Sequence, residues 1–286
     1  MASPTILVFD SGLGGLTVFR EIVAARPDAR FVYVADDALF PYGTIEEARL
    51  VRRVVEVMDG LIAAHQPDLV VVACNTASTL VLPALRERFP VPFVGTVPAI
   101  KPACATSQTK AISVLGTEAT VAREYPHALV RSFARDCAVT LVGSAVLATL
   151  AENLLSGARV DDDAIRAEIT PCFVAEGGAR TDTVVLACTH YPLLLDHFER
   201  LAPWPVRWVD PAAAIARRVV DLIGPADKAE APPAPRAIFT SGRAPSPPLS
   251  AALAGFGLSF GTPDATEEPA YAEMRLASSR IVGPFG

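Results

Sequence analysis

The chain has 286 residues, of which 51% are hydrophobic and 20% charged, and its formal net charge is −6. This composition excludes a disordered chain, and the acidic balance argues against a nucleic-acid-binding surface, which needs clustered Lys and Arg. The start MASPTILVFD lacks the basic region of a signal peptide, and the longest uncharged stretch, 244–263, contains four prolines, so we expect neither a secretion signal nor a membrane span.

Apolar runs alternate with helix-like segments in the first third of the chain. We predict strands at 5–10, 31–36, 69–74 and 91–95, with helices that end near 26 and 88. Thr44 and Glu47 have the spacing of a capping box, which predicts a helix start. The side chains predicted to share one face of that helix are Val51, Val55, Met58 and Ile62.

A second set of similar elements begins at residue 111. The strands predicted there are 111–116, 139–143 and 183–188, and the helices run from Thr117 to about 130, over 145–155 and near 162–175. The less regular region that follows has a strand at 206–210, a helix at 211–223, a proline-rich stretch and a strand at 237–242. The tail after about 260 has no clear pattern.

Uninterrupted apolar strands between helices predict an α/β fold with mainly parallel sheets flanked by helices. The two sets of elements are alike, which predicts two similar domains with an active site in the cleft between them. The first domain comprises 1–96 and is completed by the C-terminal segment 208–286, and the second comprises 97–207.

Five cysteines are an odd number, and none forms a CxxC pair. A disulfide framework or a metal site such as zinc is therefore not expected, and reduced thiols predict a cytoplasmic protein. Cys104, Cys137 and Cys172 have no polar neighbour in sequence and are interpreted as packing residues.

Cys74 and Cys188 each end a predicted strand, where parallel sheets bind ligands. Asn75 and Thr76 follow the first, and Thr189 and His190 follow the second. A helix N-terminus at that point would lower the thiol pKa, and His190 could relay a proton. The alternative is that both cysteines merely pack and that His190 is a structural imidazole.

Two thiols on matched half-structures suggest proton removal from one face of a carbon and donation from the other, which inverts a stereocentre. The stretch DSGLGG places Asp10 and Ser11 at a strand end, followed by glycines that permit a close approach to a ligand. The loop PYG brings Tyr42 and Gly43 to the same edge. Asp10 could polarise the thiol of Cys74.

Six motifs in order resemble the glutamate racemase family of cofactor-independent amino-acid racemases. These are DSGLGG (10–15), PYG (41–43), ACNTAS (73–78), VPAIKPA (97–103), GTEATV (116–121) and ACTHYPLL (187–194). One departure precedes Glu152, where this chain has SAVLATLAE and many members have CPxLVPLVE. The resemblance covers residue 5 to about 260.

The resemblance implies interconversion of L- and D-glutamate without a cofactor, and supply of D-glutamate for peptidoglycan. Cys74 would take the proton from D-glutamate with the support of Asp10, and Cys188 from L-glutamate with the support of His190. The implied substrate contacts are Asp10, Ser11, Tyr42, Gly43, Asn75, Thr76, Thr189 and His190, with Glu152, Thr117 and Thr120 as auxiliary candidates. A homodimer is also implied, and no nucleic-acid or membrane partner.

Other functions remain open from the residues alone. An aspartate or hydantoin racemase commonly has Glu after the second Cys-Thr pair, where this chain has His190. A non-catalytic protein could bind a small ligand in the same cleft. A thiol redox protein would need closer cysteines, and a pyridoxal-phosphate racemase would need a Schiff-base lysine, for which Lys101 is the candidate.

Overall fold

Strands and helices alternate along most of the chain. A computed structural model describes residues 3–226 and 232–262, together with 268, 269, 271, 272 and 275. The strands are β1 (Thr5–Asp10), β2 (Arg30–Ala35), β3 (Leu69–Val72), β4 (Phe93–Gly95), β5 (Ala111–Thr117), β6 (Ala138–Ser144), β7 (Ala175–Glu176), β8 (Ala179–Arg180), β9 (Thr183–Ala187), β10 (Arg207–Val209), β11 (Arg236–Phe239) and β12 (Ser259–Phe260).

The helices fill the intervals between these strands. They are α1 (Leu16–Ala25), α2 (Glu47–His65), α3 (Asn75–Arg88), α4 (Ile100–Thr106), α5 (Glu118–Ala122), α6 (Glu124–Phe133), α7 (Leu147–Leu155), α8 (Asp162–Ile169), α9 (Leu195–Leu201), α10 (Ala212–Ile223) and α11 (Pro247–Gly255). Short 3-10 segments lie at Asp37–Leu39, Tyr42–Thr44, Thr170–Cys172 and Tyr191–Leu194.

Two parallel sheets organise the described chain. The larger has the order β12-β11-β2-β1-β3-β4, and the smaller has the order β10-β9-β5-β6. Every pairing within these two sheets is parallel, and only the small β7–β8 hairpin is antiparallel. The predicted α/β fold class with mainly parallel sheets is confirmed.

Continuous apolar strands arise because each main sheet is covered on both faces. In β1, Ile6 and Val8 pack into one core, while Leu7 and Phe9 pack into the other. The smaller sheet is likewise covered by two clusters, and Val184 and Val185 of β9 belong to different ones. The uninterrupted run TVVLA therefore needs no polar alternation.

The predicted capping box before α2 is wrong. Glu46 is the N-cap, and its carboxylate accepts hydrogen bonds from the backbone N–H groups of Ala48 and Arg49. Thr44 lies in a preceding 3-10 segment and donates to the carbonyl of Pro41. The helix thus begins after a carboxylate that can bind two free N–H groups at once.

The predicted core face of α2 is displaced by about one residue. Its fully buried apolar side chains are Leu50, Val54, Val57, Met58 and Leu61. Of the four residues predicted, only Met58 is fully buried, and Val51, Val55 and Ile62 pack at the edge of the same cluster.

The predicted helix from Thr117 to about 130 is two helices. Thr117 caps α5 as expected, by accepting from the backbone N–H of Thr120. The chain then becomes extended at Arg123 before α6 begins. Pro126 explains the break, because it has no N–H to donate to the carbonyl of Ala122 and its ring would clash there.

Two further predictions about element length need correction. The helix predicted over 162–175 ends at Ile169, and a 3-10 segment that contains Pro171 follows it. The region 237–258 also contains α11, which the sequence did not indicate. Most of the tail after 262 lies outside the described residues, so the prediction of an irregular tail is not addressed.

The division into domains stays a prediction. Strands from 5–95 and 236–260 form the larger sheet, whereas those from 111–209 form the smaller one. β10, at Arg207–Val209, pairs with β9 of the smaller sheet, so the predicted boundary at 207/208 passes through that strand.

Candidate active site

A narrow cavity lies at the carboxyl ends of the central strands of both sheets. It is lined by Ser11, Phe40, Pro41, Tyr42, Gly43, Cys74, Asn75, Thr76, Thr117, Ala148, Cys188, Thr189 and His190. The cavity contains about 290 Å³ of space between atoms, of which only about 20 Å³ admits the centre of a water molecule. Both thiols therefore face one closely packed space between the two sheets.

Cys74 is the N-cap of α3. Its sulfur accepts from the backbone N–H of Ala77 at 3.5 Å and lies 3.6 Å from the hydroxyl oxygen of Ser11. Burial, with the nearby Asp10 carboxylate, raises the pKa of Cys74 to about 12 despite these two contacts. The expectation that the helix terminus would lower the thiol pKa is therefore wrong for Cys74, because burial and the Asp10 charge outweigh the terminus.

Asp10 ends β1 and is fully buried. Its carboxylate accepts from the backbone N–H of Gly15 at 3.0 Å, and from the hydroxyl of Thr189, across the two sheets, at 3.3 Å. Burial raises the pKa of Asp10, although the charge of His190 and the N–H groups of the glycine loop favour its carboxylate. Its negative charge adds to the effect of burial in raising the pKa of the neighbouring Cys74.

Cys188 has a different neighbour. Its sulfur lies 3.8 Å from Nδ1 of His190, and Nε2 of the same imidazole lies 2.8 Å from a carboxylate oxygen of Glu152. Burial by itself would lower the pKa of His190, but its hydrogen bonds to Cys188 and Glu152 raise that pKa well above the ordinary value. These two hydrogen bonds therefore favour the imidazolium form of His190 over the neutral ring.

Glu152 also connects the two sheets. The carboxylate oxygen that contacts His190 accepts from the backbone N–H of Leu13, in the glycine loop after β1, at 2.6 Å. The same loop approaches His190 so closely that a Cβ on Gly14 would lie 2.6 Å from its backbone nitrogen. The divergent SAVLATLAE stretch thus still delivers Glu152 to the edge of the cleft.

Three threonine hydroxyl groups form a cluster at another part of the cavity wall. Thr76 lies 3.3 Å from Thr117 and 3.0 Å from Thr120, and the latter two hydroxyls are 2.8 Å apart. Arg123 holds this wall from outside, since it donates to the backbone carbonyl of Thr76 at 2.7 Å and pairs with Glu47 at 2.9 Å.

Asn75 is buried at the cavity wall, and neither its amide oxygen nor its amide nitrogen has a hydrogen-bond partner among the described residues. Leaving such groups buried and unpaired costs roughly 1–3 kcal/mol each. A polar molecule in the cavity would satisfy both atoms.

Sequence reasoning missed the support behind Tyr42. The phenol donates to the carboxylate of Asp36 at 2.5 Å, and Asp36 is also bound by buried Arg53 and by Thr240. Asp36 directly follows β2, as Asp10 ends β1, so the same strand-end signal could have identified it. Phe40 was missed too, and its ring centroid lies 5.3 Å from that of His190.

The structure brings all the predicted site residues to this one region. Asp10, Thr120 and Glu152 lie directly behind the cavity walls, and every other predicted site residue lines the cavity itself. Their roles in binding or catalysis remain predictions. Lys101, the residue a pyridoxal cofactor would need, instead lines a separate cavity.

Neither a metal-binding cluster nor a membrane-spanning helix is present in the described part of the chain. Within residues 3–226, 232–262 and the few described beyond them, no group of three or more His, Cys, Asp or Glu side chains could hold a metal ion. In that same part, no helix has the length and apolar character needed to cross a bilayer.

The chain is similar to known proteins over most of its length. Residues 7–219 match the model of the Asp/Glu/hydantoin racemase family. Glutamate racemase of Brucella anthropi is 55% identical over 91% of this chain and 94% of its own. That of Mesorhizobium japonicum is 52% identical over 91% and 99%. The Escherichia coli glutamate racemase structure with L-glutamate and the activator UDP-MurNAc-Ala has a TM-score of 0.82 and 41% identity, over 90% of this chain and 97% of that one.

Proposed function

The chain belongs to the Asp/Glu/hydantoin racemase family, and from that premise we propose that it interconverts L- and D-glutamate by a two-base mechanism at the α-carbon. The predicted resemblance and the predicted isomerase class are confirmed by the relatives. The observation that carries the proposed mechanism is the presence of Cys74 and Cys188 on the walls of one cavity.

Cys74 removes the α-proton from D-glutamate and Cys188 gives one back from the opposite side. In the reverse direction the roles exchange. His190, as an imidazolium, supplies a proton to Cys188 or holds its thiolate, because the ring lies 3.8 Å from the sulfur.

Substrate charge prepares the other thiol. The ammonium group of glutamate, bound near the buried Asp10, offsets the negative charge of that carboxylate. Since this charge adds to burial in raising the pKa of Cys74, the bound substrate lowers that pKa. The unpaired amide of Asn75 and the hydroxyls of Ser11, Thr76 and Thr189 hold the substrate carboxylates, with Tyr42 and Gly43 at the same wall. Preorganised donors of this kind stabilise negative charge that develops at the transition state.

The test is racemisation of a single glutamate enantiomer in D2O, with no added cofactor and a chelator present. We expect deuterium at the α-carbon of the product from the first turnover, because the donating thiol has exchanged with solvent. Retention of the original proton in the product, or faster turnover of aspartate than of glutamate, would contradict the proposal.

The family resemblance also suggests a cellular role for D-glutamate, the product of the proposed reaction. D-glutamate would supply peptidoglycan synthesis, and therefore cell-wall formation and cell shape, from a cytoplasmic homodimer. Light scattering of the purified protein, coupled to size exclusion, tests the dimer independently of activity. Depletion of the protein in its host should deplete D-glutamate and be rescued by D-glutamate in the medium.

A further inference from the structure

A second cysteine pair lies outside the cleft, on the smaller sheet. A cavity of about 410 Å³ opens beside α4 and the segment that joins α6 to β6. It is lined by Lys101, Cys104, Ala105, Lys110, Ser132, Phe133, Arg135, Asp136 and Cys137. None of these residues lines the cavity that contains Cys74 and Cys188.

The two thiols of this cavity are close together. The thiol of Cys137 donates to the backbone carbonyl of Cys104 at 3.7 Å, and both side chains pack in the same apolar cluster. Cys104 is 7% exposed, whereas Cys137 is only half-buried. Burial and the adjacent Cys137 thiol raise the pKa of Cys104 to about 12. Cys137 is therefore the accessible member of the pair, and Cys104 is the shielded one.

The cavity is positively charged on balance. Three of its lining side chains are cationic, Lys101, Lys110 and Arg135, against the single acid Asp136. Lys110 reaches the pair directly, because its ammonium donates to the carbonyl of Cys104 at 2.9 Å. The ammonium of Lys101 is held above the ring of Phe133 at 5.4 Å. A small anion is thus attracted to the place where the thiol is exposed.

We propose that Cys104 and Cys137 form a thiol pair that reacts with an anionic low-molecular-weight disulfide and closes to an intramolecular disulfide. The thiolate of Cys137 attacks one sulfur of the small disulfide, so a mixed disulfide forms and one small thiolate leaves and takes up a proton. The Cys104 thiolate then attacks the Cys137 sulfur and releases the second small thiol. Two protein thiols are oxidised, and one small disulfide is reduced to two thiols.

The resulting disulfide would join α4, which contains Cys104, to the start of β6. α4 is the first helix after β4, where the chain leaves the larger sheet. Cys137 directly precedes β6, the outer strand of the smaller sheet. The disulfide would fix α4 to that edge.

The test treats the full-length protein with glutathione disulfide, quenches it with N-ethylmaleimide and maps its peptides by mass spectrometry. We expect a Cys104–Cys137 crosslinked peptide that is lost on reduction. Cys104→Ala should accumulate the glutathione mixed disulfide at Cys137, and Cys137→Ser should leave Cys104 unmodified. Cys172→Ala is the matched control, since that cysteine is buried outside the pair, and it should keep the crosslink.

Charge selectivity is tested with three disulfides that differ in net charge. Crosslinking by glutathione disulfide should be about tenfold faster than by cationic cystamine, with neutral hydroxyethyl disulfide between them. Arg135→Met should reduce that preference without changing the rate with the neutral reagent. Absence of the crosslink, or equal rates with cystamine and glutathione disulfide, would overturn the proposal. Because the readout is a peptide mass, neither result bears on racemisation.

Discussion

Cys74 begins a 14-residue helix beside a buried carboxylate, whereas Cys188 begins a turn that leads into a 3-10 segment beside an imidazole. Burial, and then the charge of Asp10, raises the pKa of Cys74, whereas hydrogen bonds to Cys188 and Glu152 raise the pKa of His190. Two matched strand ends thus present the same side chain in two electrostatic settings. The difference teaches that burial and neighbouring side chains, rather than the position of a cysteine at a strand end, set the acid–base properties of each half of the site.

The largest test of the comparison removes each thiol in turn. Cys74→Ala and Cys188→Ala should each reduce kcat for glutamate racemisation on the order of 10³-fold or more, because each removes an acid–base group on one face of the carbon. Polarimetry or circular dichroism of the glutamate checks this. Cys137→Ser should retain activity, and substantial activity in either alanine variant would show that one base suffices.

The two supporting groups come next. His190→Asn and Asp10→Asn should each reduce kcat/KM about 10²-fold. L- and D-glutamate have equal free energies, so kcat/KM must fall equally in both directions. The primary isotope effect separates the two: His190→Asn should raise it for α-deuterated L-glutamate, and Asp10→Asn for the D-enantiomer. Identical isotope effects in the two variants would remove the assignment of one support to each thiol.

Arg123 tests whether the hydroxyl wall depends on a contact between the halves. Arg123→Ala removes a charged donor from the carbonyl of Thr76 and should raise KM for glutamate about tenfold, with a smaller change in kcat. Arg131→Ala is a matched control, because the partner of Arg131 among the described residues is the exposed Glu124. Glu47→Ala should have little effect, since Glu47 is exposed. An unchanged KM in Arg123→Ala would show that Thr76 is held without it.

The smallest expected change is a shift in one titration. Glu152→Gln removes one of the two hydrogen-bond acceptors that raise the pKa of His190, so that pKa should fall. Nitrogen-15 NMR of the four histidines measures it. An unchanged His190 titration would mean that Cys188 alone sets its charge.

The strands and the two thiols could be predicted because their signals are local. The apolar runs before Asp10, Cys74 and Cys188 are long enough to predict buried parallel strands, and parallel strands bring their carboxyl ends together. The position of Glu152 followed only from the resemblance, since a residue in the middle of a helix carries no signal of its own. Its contact with Leu13 joins positions 139 residues apart.

The errors have equally physical causes. Thr44 and Glu47 have capping spacing, yet Glu46 competes for the same N–H groups with two carboxylate oxygens. The Cys74 thiol was expected to be acidic because a helix terminus is a local feature, whereas burial and the charge of Asp10 depend on the whole fold. Cys104 and Cys137 pack in one apolar cluster, as interpreted, but the contact between them could not be predicted, since 33 residues separate them in the chain.

The space between the two catalytic candidates is almost filled by its own walls, with about 20 Å³ open to a water centre. An amino acid cannot occupy such a space unless the walls of the cavity move apart. Each turnover would then include an opening and a closing of the cavity. Raising the solvent viscosity with sucrose should therefore lower kcat even where proton transfer is fast. The close packing that excludes water from the two thiols would also limit the rate at which a new substrate binds between them.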